Sequence, residues 1–244
     1  AASALRSPQW RGLRVAIRIN GMNTPFFAED LEAMVRVGAA IIRLPMTDDA
    51  AMIEELDQRL TGIERDCGRP VGSTKVMAAI ETASGVVNAR AIAAASPRMV
   101  ALALAGFDYL LDMHAERSRD GSELFYARCA VLHAARAAGI ACHDVVWGNV
   151  DDEEGFLAEA ELIKHLGFDG KSLINPRQIP LLHSVYAPSE KELQFAHRVI
   201  AAAREAEERG LGVIAVDGQM VDGPVIAAAK RSIAFADHGL PRGL

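Results

Sequence analysis

Short apolar runs alternate with stretches of helical periodicity from the first residues to about position 175. Leu13-Arg14-Val15-Ala16-Ile17-Arg18-Ile19-Asn20 reads as a strand, and a helix at about Ala28–Val37 follows it. Ala39–Pro45 is the next apolar run, then a helix from about Ala50 to Cys67. Lys75–Glu81 and Met99–Ala105 are the third and fourth strands, separated by a helix near Val86–Ala95. A long Ala-rich helix near Leu124–Ala138 leads to a fifth strand, Ala141–Val146. A helix near Glu153–Leu166 leads to a short sixth, Lys171–Ile174. Strands that are apolar along their whole length, alternating with helices, indicate a parallel sheet covered on both faces. Gly38, Gly139 and Gly167 each stand between a helix and the next strand, where a left-handed cap is expected.

The pattern alone leaves two architectures open, a β/α barrel and a doubly wound open sheet. No Gly-rich dinucleotide turn follows a strand, which weighs against the second. The tail breaks the repeat. Ser189–Glu208 is a long amphipathic helix, Leu211–Val216 a short apolar run, Asp217–Pro224 a turn-rich segment and Val225–Ala236 a last helix. The expected division is a barrel domain over 1–186 and a C-terminal helical extension with a lid segment over 187–244.

The 244 residues suit one large barrel domain. Aromatic residues make up only 5% of the chain, so small aliphatic side chains must fill its core. The net charge of −6 makes nucleic acid a poor partner, because its phosphates would be repelled. No apolar run approaches the 18 or so residues of a membrane span, and no signal peptide is evident, so a soluble, cytoplasmic protein is expected. Cys67, Cys129 and Cys142 are odd in number and lack CxxC spacing, which reads as buried reduced thiols. The seven histidines show no HxxxH or HxH spacing, which disfavours a zinc site.

Chemistry in parallel α/β proteins collects at the carboxyl ends of the strands. Those ends carry Arg18 and Asn20, Arg43 and Pro45, Glu81, Asp108, His143 and Asp144, and Asn175. Two carboxylates and an arginine fit a site for a hard cation and an anion, since Mg²⁺ takes one or two carboxylates and leaves positions for substrate and water. From spacing alone, Glu81 reads equally as the first residue of a helix, capping its positive end. Asp108 reads equally as a solvated loop carboxylate, Arg18 as the partner of a core carboxylate, and His143 as a satisfied buried histidine.

A set of motifs then narrows the choice. Ile17-Arg18-Ile19-Asn20, Arg43-Leu44-Pro45, Ala79-Ile80-Glu81-Thr82 and Ala105-Gly106-Phe107-Asp108-Tyr109 occur in that order. Glu116-Arg117-Ser118, Tyr126-Ala127-Arg128, the stretch Ala134–Ile140 and Gly155-Phe156 follow them. Gly167–Ile179 and Asp217–Ile226 complete the set. In order and spacing the sequence resembles the citrate lyase β-subunit family, grouped with the malyl-CoA and citramalyl-CoA lyases.

The resemblance implies a (β/α)8 TIM-type barrel, usually assembled as a homotrimer. Arg18 matches the arginine that binds the keto-acid carboxylate, and Glu81 and Asp108 match the Mg²⁺ ligands, with Glu81 also facing the substrate. Ile174 and Asn175 lie where the family contacts the CoA-like part of the substrate. Asp222 matches an acidic residue that reaches into a neighbouring subunit's site as catalytic acid or base. The family also has two further barrel strands ahead of Ile17-Arg18-Ile19-Asn20, so the six strands here are expected to be its strands three to eight, with the first two lacking from this sequence. Phe107 stands where relatives often carry an acidic residue, and Met46 where many carry Lys.

The implied activity is cleavage of a citryl thioester, on CoA or an acyl-carrier protein, to oxaloacetate and an acetyl thioester. Other citrate lyase subunits are the implied protein partners. A citramalyl-CoA or malyl-CoA lyase is the alternative within the same chemistry. A catalytically silent assembly subunit is the alternative of another class.

Overall fold

Polar side chains open several helices of this chain and glycines close them. Asp49, Thr82 and Asp152 each accept a hydrogen bond from a backbone N–H in the first turn of the helix that follows, at 3.0 Å in every case. Gly139 and Gly167 end helices in the left-handed region, at φ 69° and 106°. Gly38, at φ 92°, does the same just past its helix. The expectation for these three glycines holds.

A computed structural model describes residues 2–5, 7, 10, 13–210 and 214–238. Its elements are α1 (Ala2–Leu5), β1 (Ala16–Arg18), α2 (Phe27–Arg36), β2 (Ile41–Leu44), α3 (Ala50–Asp66), β3 (Lys75–Ile80) and α4 (Ala83–Ala94). Then come β4 (Met99–Leu104), α5 (Gly106–Asp112), α6 (Phe125–Ala138), β5 (Ala141–Asp144), α7 (Glu153–Leu166), β6 (Gly170–Lys171) and α8 (Gln178–Tyr186). The chain continues through α9 (Glu190–Glu208), β7 (Ile214–Val216), β8 (Gln219–Val221) and α10 (Gly223–His238). It divides into two units, 1–181 and 182–244.

In the first unit, β1 to β6 form one sheet in sequence order, each strand parallel to the next. A doubly wound sheet reverses its strand order at a switch point. This sheet has no reversal, and its order is that of an arc of a β/α barrel, a half-barrel of six strands. These are the six strands counted from the sequence. The register runs Arg18↔Arg43↔Met77 and Ala103↔His143↔Gly170, so these residues share one face. The opposite face carries Ile42, Leu44, Val76, Ala78, Ile80, Leu102 and Leu104, all fully buried.

The differences from the sequence reading are local. β1 is three residues long and β6 only two, because Ser172 N–H makes the last ladder bond, to Asp144 O, and the chain then turns. Two short helices, α5 and α8, fall where none is expected, and Asp108 sits in the first turn of α5 rather than in a loop. Neither helix has a polar N-cap and strong amphipathic period together, the signals that reveal helices in a sequence.

Two buried ionic clusters pin the sheet. On the side of the strand starts, Arg98, just before β4, donates to Glu64 of α3 at 2.8 and 3.0 Å, to Thr61 Oγ1 at 2.9 Å, to Thr74 O at 2.9 Å and to Asp57. Glu64 also accepts the backbone N–H groups of Gly72 and Thr74, at 2.8 and 2.7 Å, where the chain enters β3. Burial alone would raise its pKa, but Arg98 and those amides outweigh it and hold the carboxyl at about 2. Near β5 and β6, Arg128 of α6 donates twice to Asp144, at 2.9 Å each, and also to Glu159 of α7. Lys171 of β6 donates to the same two carboxylates. Arg117 binds Glu159 and Glu123 from outside.

The second unit packs α9 against α10, with Ala196, Val199, Val216, Val221 and Ala229 as its core. Ser189 and Glu192 form a reciprocal capping box at the start of α9. β7 and β8 make an antiparallel hairpin through Asp217 and Gly218, at φ 52° and 78°, the positive pair of a type I′ turn. The expected turn-rich segment is thus partly a strand. Leu211, Gly212 and Val213 of the expected apolar run lie outside the described residues.

Candidate active site

Arg18 is the last residue of β1, and Arg43 is its register partner in β2. Glu81 follows β3, Asp108 follows β4 in α5, and His143 lies in β5. All five therefore stand at or near strand carboxyl ends. A cavity of about 300 Å³ opens on the inner face of the arc, lined by Arg18, Arg43, Met77, His143, Lys171 and Ser172 together with Ala16 and Ala103. The alanines matter, since methyl groups leave room on this face for long polar side chains.

Several local contacts assemble the carboxylates. Thr82, next to Glu81, caps α4 and donates its hydroxyl to Asp48. Asp112, at the end of α5, accepts the N–H of Ala83 at 2.7 Å and so ties the Asp108 helix to the start of α4. Ala105 N–H bonds Ile80 O at 2.9 Å, one residue before Glu81. Thr47 N–H bonds Ala79 O at 3.1 Å and holds the Pro45-Met46 turn against β3. Met46 there has φ 50°, a left-handed conformation costly for a side chain with a Cβ.

Glu81 is buried, and burial pushes its carboxyl up, as does the neighbouring Asp108 carboxylate. The Met46 backbone N–H and the Arg43 and Arg18 guanidiniums pull the other way without overcoming it. Burial lowers Arg43, with Glu81 opposing that shift and Arg18 adding to it. Burial also holds His143 below its usual value, so it is neutral near pH 7. The Asp108 carboxylate disfavours charge on the buried Glu81, a cost that a divalent cation between them would remove. The donors are oxygens, and among the described residues no group of three or more His, Cys, Asp and Glu is placed to hold a metal ion. That set fits Mg²⁺ better than zinc, with positions left for water and substrate.

Ile174 and Asn175 fall in the turn between β6 and α8. Ile174 is half exposed, its N–H bonding Gln178 Oε1 at 3.1 Å, and Asn175 Oδ1 accepts Arg177 N–H at 2.9 Å. Asp222 belongs to the second unit, exposed ahead of α10, where its carboxylate accepts Val225 N–H at 3.2 Å. Phe107 is exposed and its ring closes on Gly148, where a Cβ would come within 2.8 Å of it. Within the first unit the structure thus brings Arg18, Glu81 and Asp108 together. Arg43 is legible in the sequence only as a strand-end residue, and its place in the cavity follows from its register with Arg18. Asp112 carries no sequence signal, because its partner is a backbone amide 29 residues away.

Residues 1–176 match the family model described as HpcH/HpaI aldolase/citrate lyase. The chain belongs to this family. It is 54% identical over 237 residues to the citrate lyase subunit beta of Leuconostoc mesenteroides subsp. cremoris, covering 96% of this chain and 78% of that protein. It is also similar to the CitE protein of Mycobacterium tuberculosis, whose crystal structure is in complex with magnesium, acetoacetate and coenzyme A. That match has a TM-score of 0.73 and 33% identity over 91% of this chain and 78% of the other. Another solved structure from M. tuberculosis is of a citrate lyase beta subunit complexed with oxaloacetate and magnesium. It matches with a TM-score of 0.60 and 32% identity over 71% and 73% of the two chains. The family resemblance read from the ordered motifs therefore holds. Among the described residues, no helix is long and apolar enough to cross a membrane.

Proposed function

We propose that this chain is a carbon–carbon lyase that cleaves a citryl thioester to oxaloacetate and an acetyl thioester by retro-Claisen chemistry, with Mg²⁺ held by Glu81 and Asp108. The observation that carries this reading is the buried Glu81 carboxylate, within electrostatic reach of Asp108, Arg18 and Arg43. Magnesium, oxaloacetate and coenzyme A are bound by the similar M. tuberculosis proteins, which supports the same ligands here.

Arg18 holds the carboxylate next to the reacting carbon, its planar fork fixing orientation through two parallel hydrogen bonds. The bond that breaks joins the hydroxyl-bearing carbon to the methylene beside the thioester. The hydroxyl gives its proton to solvent water, and its oxygen becomes the ketone of oxaloacetate. The electron pair of the broken bond passes to the thioester enolate, which takes a proton on carbon to give the acetyl thioester. Mg²⁺, when bound, polarises the hydroxyl and keto oxygen as a Lewis acid and orients them.

Asp222 supplies the proton to the enolate carbon as general acid, entering from a neighbouring subunit of a homotrimer. Ile174 and Asn175 contact the CoA-like part of the substrate. The carboxyl ends of six strands supply the walls, as strands three to eight of a (β/α)8 barrel. The acyl carrier is CoA or the carrier protein of a cytoplasmic citrate lyase complex, in keeping with free Cys67, Cys129 and Cys142. The test follows oxaloacetate release from citryl-CoA with Mg²⁺, coupled to NADH oxidation by malate dehydrogenase. Release that stops on removal of Mg²⁺ is expected. No release, with turnover of citramalyl-CoA or malyl-CoA instead, would overturn the citryl assignment.

A further inference from the structure

Two arginines stand side by side on the cavity wall, and the proposed reaction has so far used one. Arg18 and Arg43 are Cα register partners on adjacent parallel strands, and both line the same cavity. Among the described residues, neither side chain forms an ion pair within 4.0 Å or a hydrogen bond. Arg43 Nε is moreover buried with no hydrogen-bond partner. Arg128 Nη1 is likewise without a partner, but the Arg128 guanidinium as a whole is anchored, as is that of Arg98. Arg98 makes five hydrogen bonds and Arg128 three, all of them to protein groups. A buried guanidinium donor left unmatched costs free energy, and the half-buried Arg43 side chain also lines a space of about 300 Å³, large enough for a small organic anion.

We propose that Arg43 is the specificity-determining residue that receives the second carboxylate of the keto acid and so selects dicarboxylate over monocarboxylate substrates. The inference rests on the lyase reading and adds the substrate class to it. Oxaloacetate carries two carboxylates on a four-carbon chain, whereas pyruvate and glyoxylate carry one. Neighbouring strands run about 4.8 Å apart, so guanidiniums from adjacent strands are spaced for the two ends of such a short dianion. With Arg18 on the carboxylate beside the keto group, Arg43 is the cation left for the far one. Of the remaining wall, Met77, Ala16 and Ala103 offer that carboxylate no side-chain donor, Lys171 is held by Asp144 and Glu159, and His143 and Ser172 are uncharged.

The experiment measures oxaloacetate and pyruvate binding to the full chain by calorimetry at saturating Mg²⁺, in wild type, Arg43→Met and Arg43→Lys. Wild type should bind oxaloacetate roughly ten- to a hundredfold more tightly than pyruvate, the worth of one charged hydrogen-bonded contact. In Arg43→Met that ratio should fall close to one, through weaker oxaloacetate binding alone, and Arg43→Lys should restore part of it. A general disturbance of the fold or of the metal would weaken both keto acids together and leave the ratio unchanged. An unchanged ratio in Arg43→Met, with wild type still binding oxaloacetate, overturns this inference and leaves the lyase reading intact. Wild type that binds neither keto acid overturns the lyase reading and this inference together.

Discussion

Arg98→Met removes the hub of the ionic cluster beneath β3 and β4. The guanidinium is 3% exposed and Glu64 is fully buried, so the substitution leaves a carboxylate away from water without its cation. Breaking a buried pair from one side costs about 3–5 kcal/mol. Methionine is of similar length and leaves little cavity. Glu64 retains the Gly72 and Thr74 amides, and Asp57 is 28% exposed and rehydrates, which places the loss near the lower end, about 3 kcal/mol. For a chain of this length that lowers Tm by roughly 6–12 °C. Urea unfolding followed by circular dichroism at pH 7 measures it. The double variant Glu64→Gln/Arg98→Met removes the stranded charge while keeping an oxygen for the loop amides, so it should be more stable than Arg98→Met alone. A double variant no more stable than the single one, or a single loss below about 1 kcal/mol, would refute the reasoning.

Acid should expose the same cluster. Glu64 is held at about 2 in the fold against an ordinary 4.5, so its contribution is complete above about pH 5 and is lost as pH falls toward 2. The stability gap between wild type and Glu64→Gln should therefore shrink by about 3 kcal/mol from pH 6 to pH 2, read by urea midpoints, and a constant gap would contradict it. Gly85→Ala places a Cβ 2.7 Å from Thr47 O at the start of α4, so it should destabilise by about 1–3 kcal/mol despite the better helix propensity of Ala. A thermal melt at or above the wild-type Tm would contradict that. Lys171→Met leaves Asp144 and Glu159 with one buried cation, Arg128, and should cost about 3 kcal/mol in chemical denaturation. A loss under about 1 kcal/mol would assign Lys171 a role on the cavity side instead.

The alternation of apolar runs and helices was enough to count six strands, because β2 to β5 are largely buried and apolar and the flanking runs at residues 15–19 and 171–174 extend past the short β1 and β6. Sequential order, and hence a barrel arc rather than a doubly wound sheet, needed the register. The short helix α5 was hidden by its length of seven residues, and it changes the setting of Asp108 from a loop to a first helical turn. Arg128 and Lys171 belong to the motifs that mark the family, yet they serve a buried charge cluster as well as any site. A sequence shows that such residues are charged, and only their partners on α7 and β5 show why. The Phe107 change is absorbed by a ring resting on Gly148, a contact 41 positions apart that no local pattern carries.

The most direct test is a calorimetric titration of Mg²⁺, with an oxaloacetate analogue present, into wild type, Glu81→Gln and Asp108→Asn. Both substitutions keep size and remove one anionic oxygen donor, and unchanged thermal melts would show that the fold survives. Wild type should bind one Mg²⁺ per chain, and each variant should bind at least tenfold more weakly. Mg²⁺ bound equally well by both variants would remove Glu81 and Asp108 as its ligands.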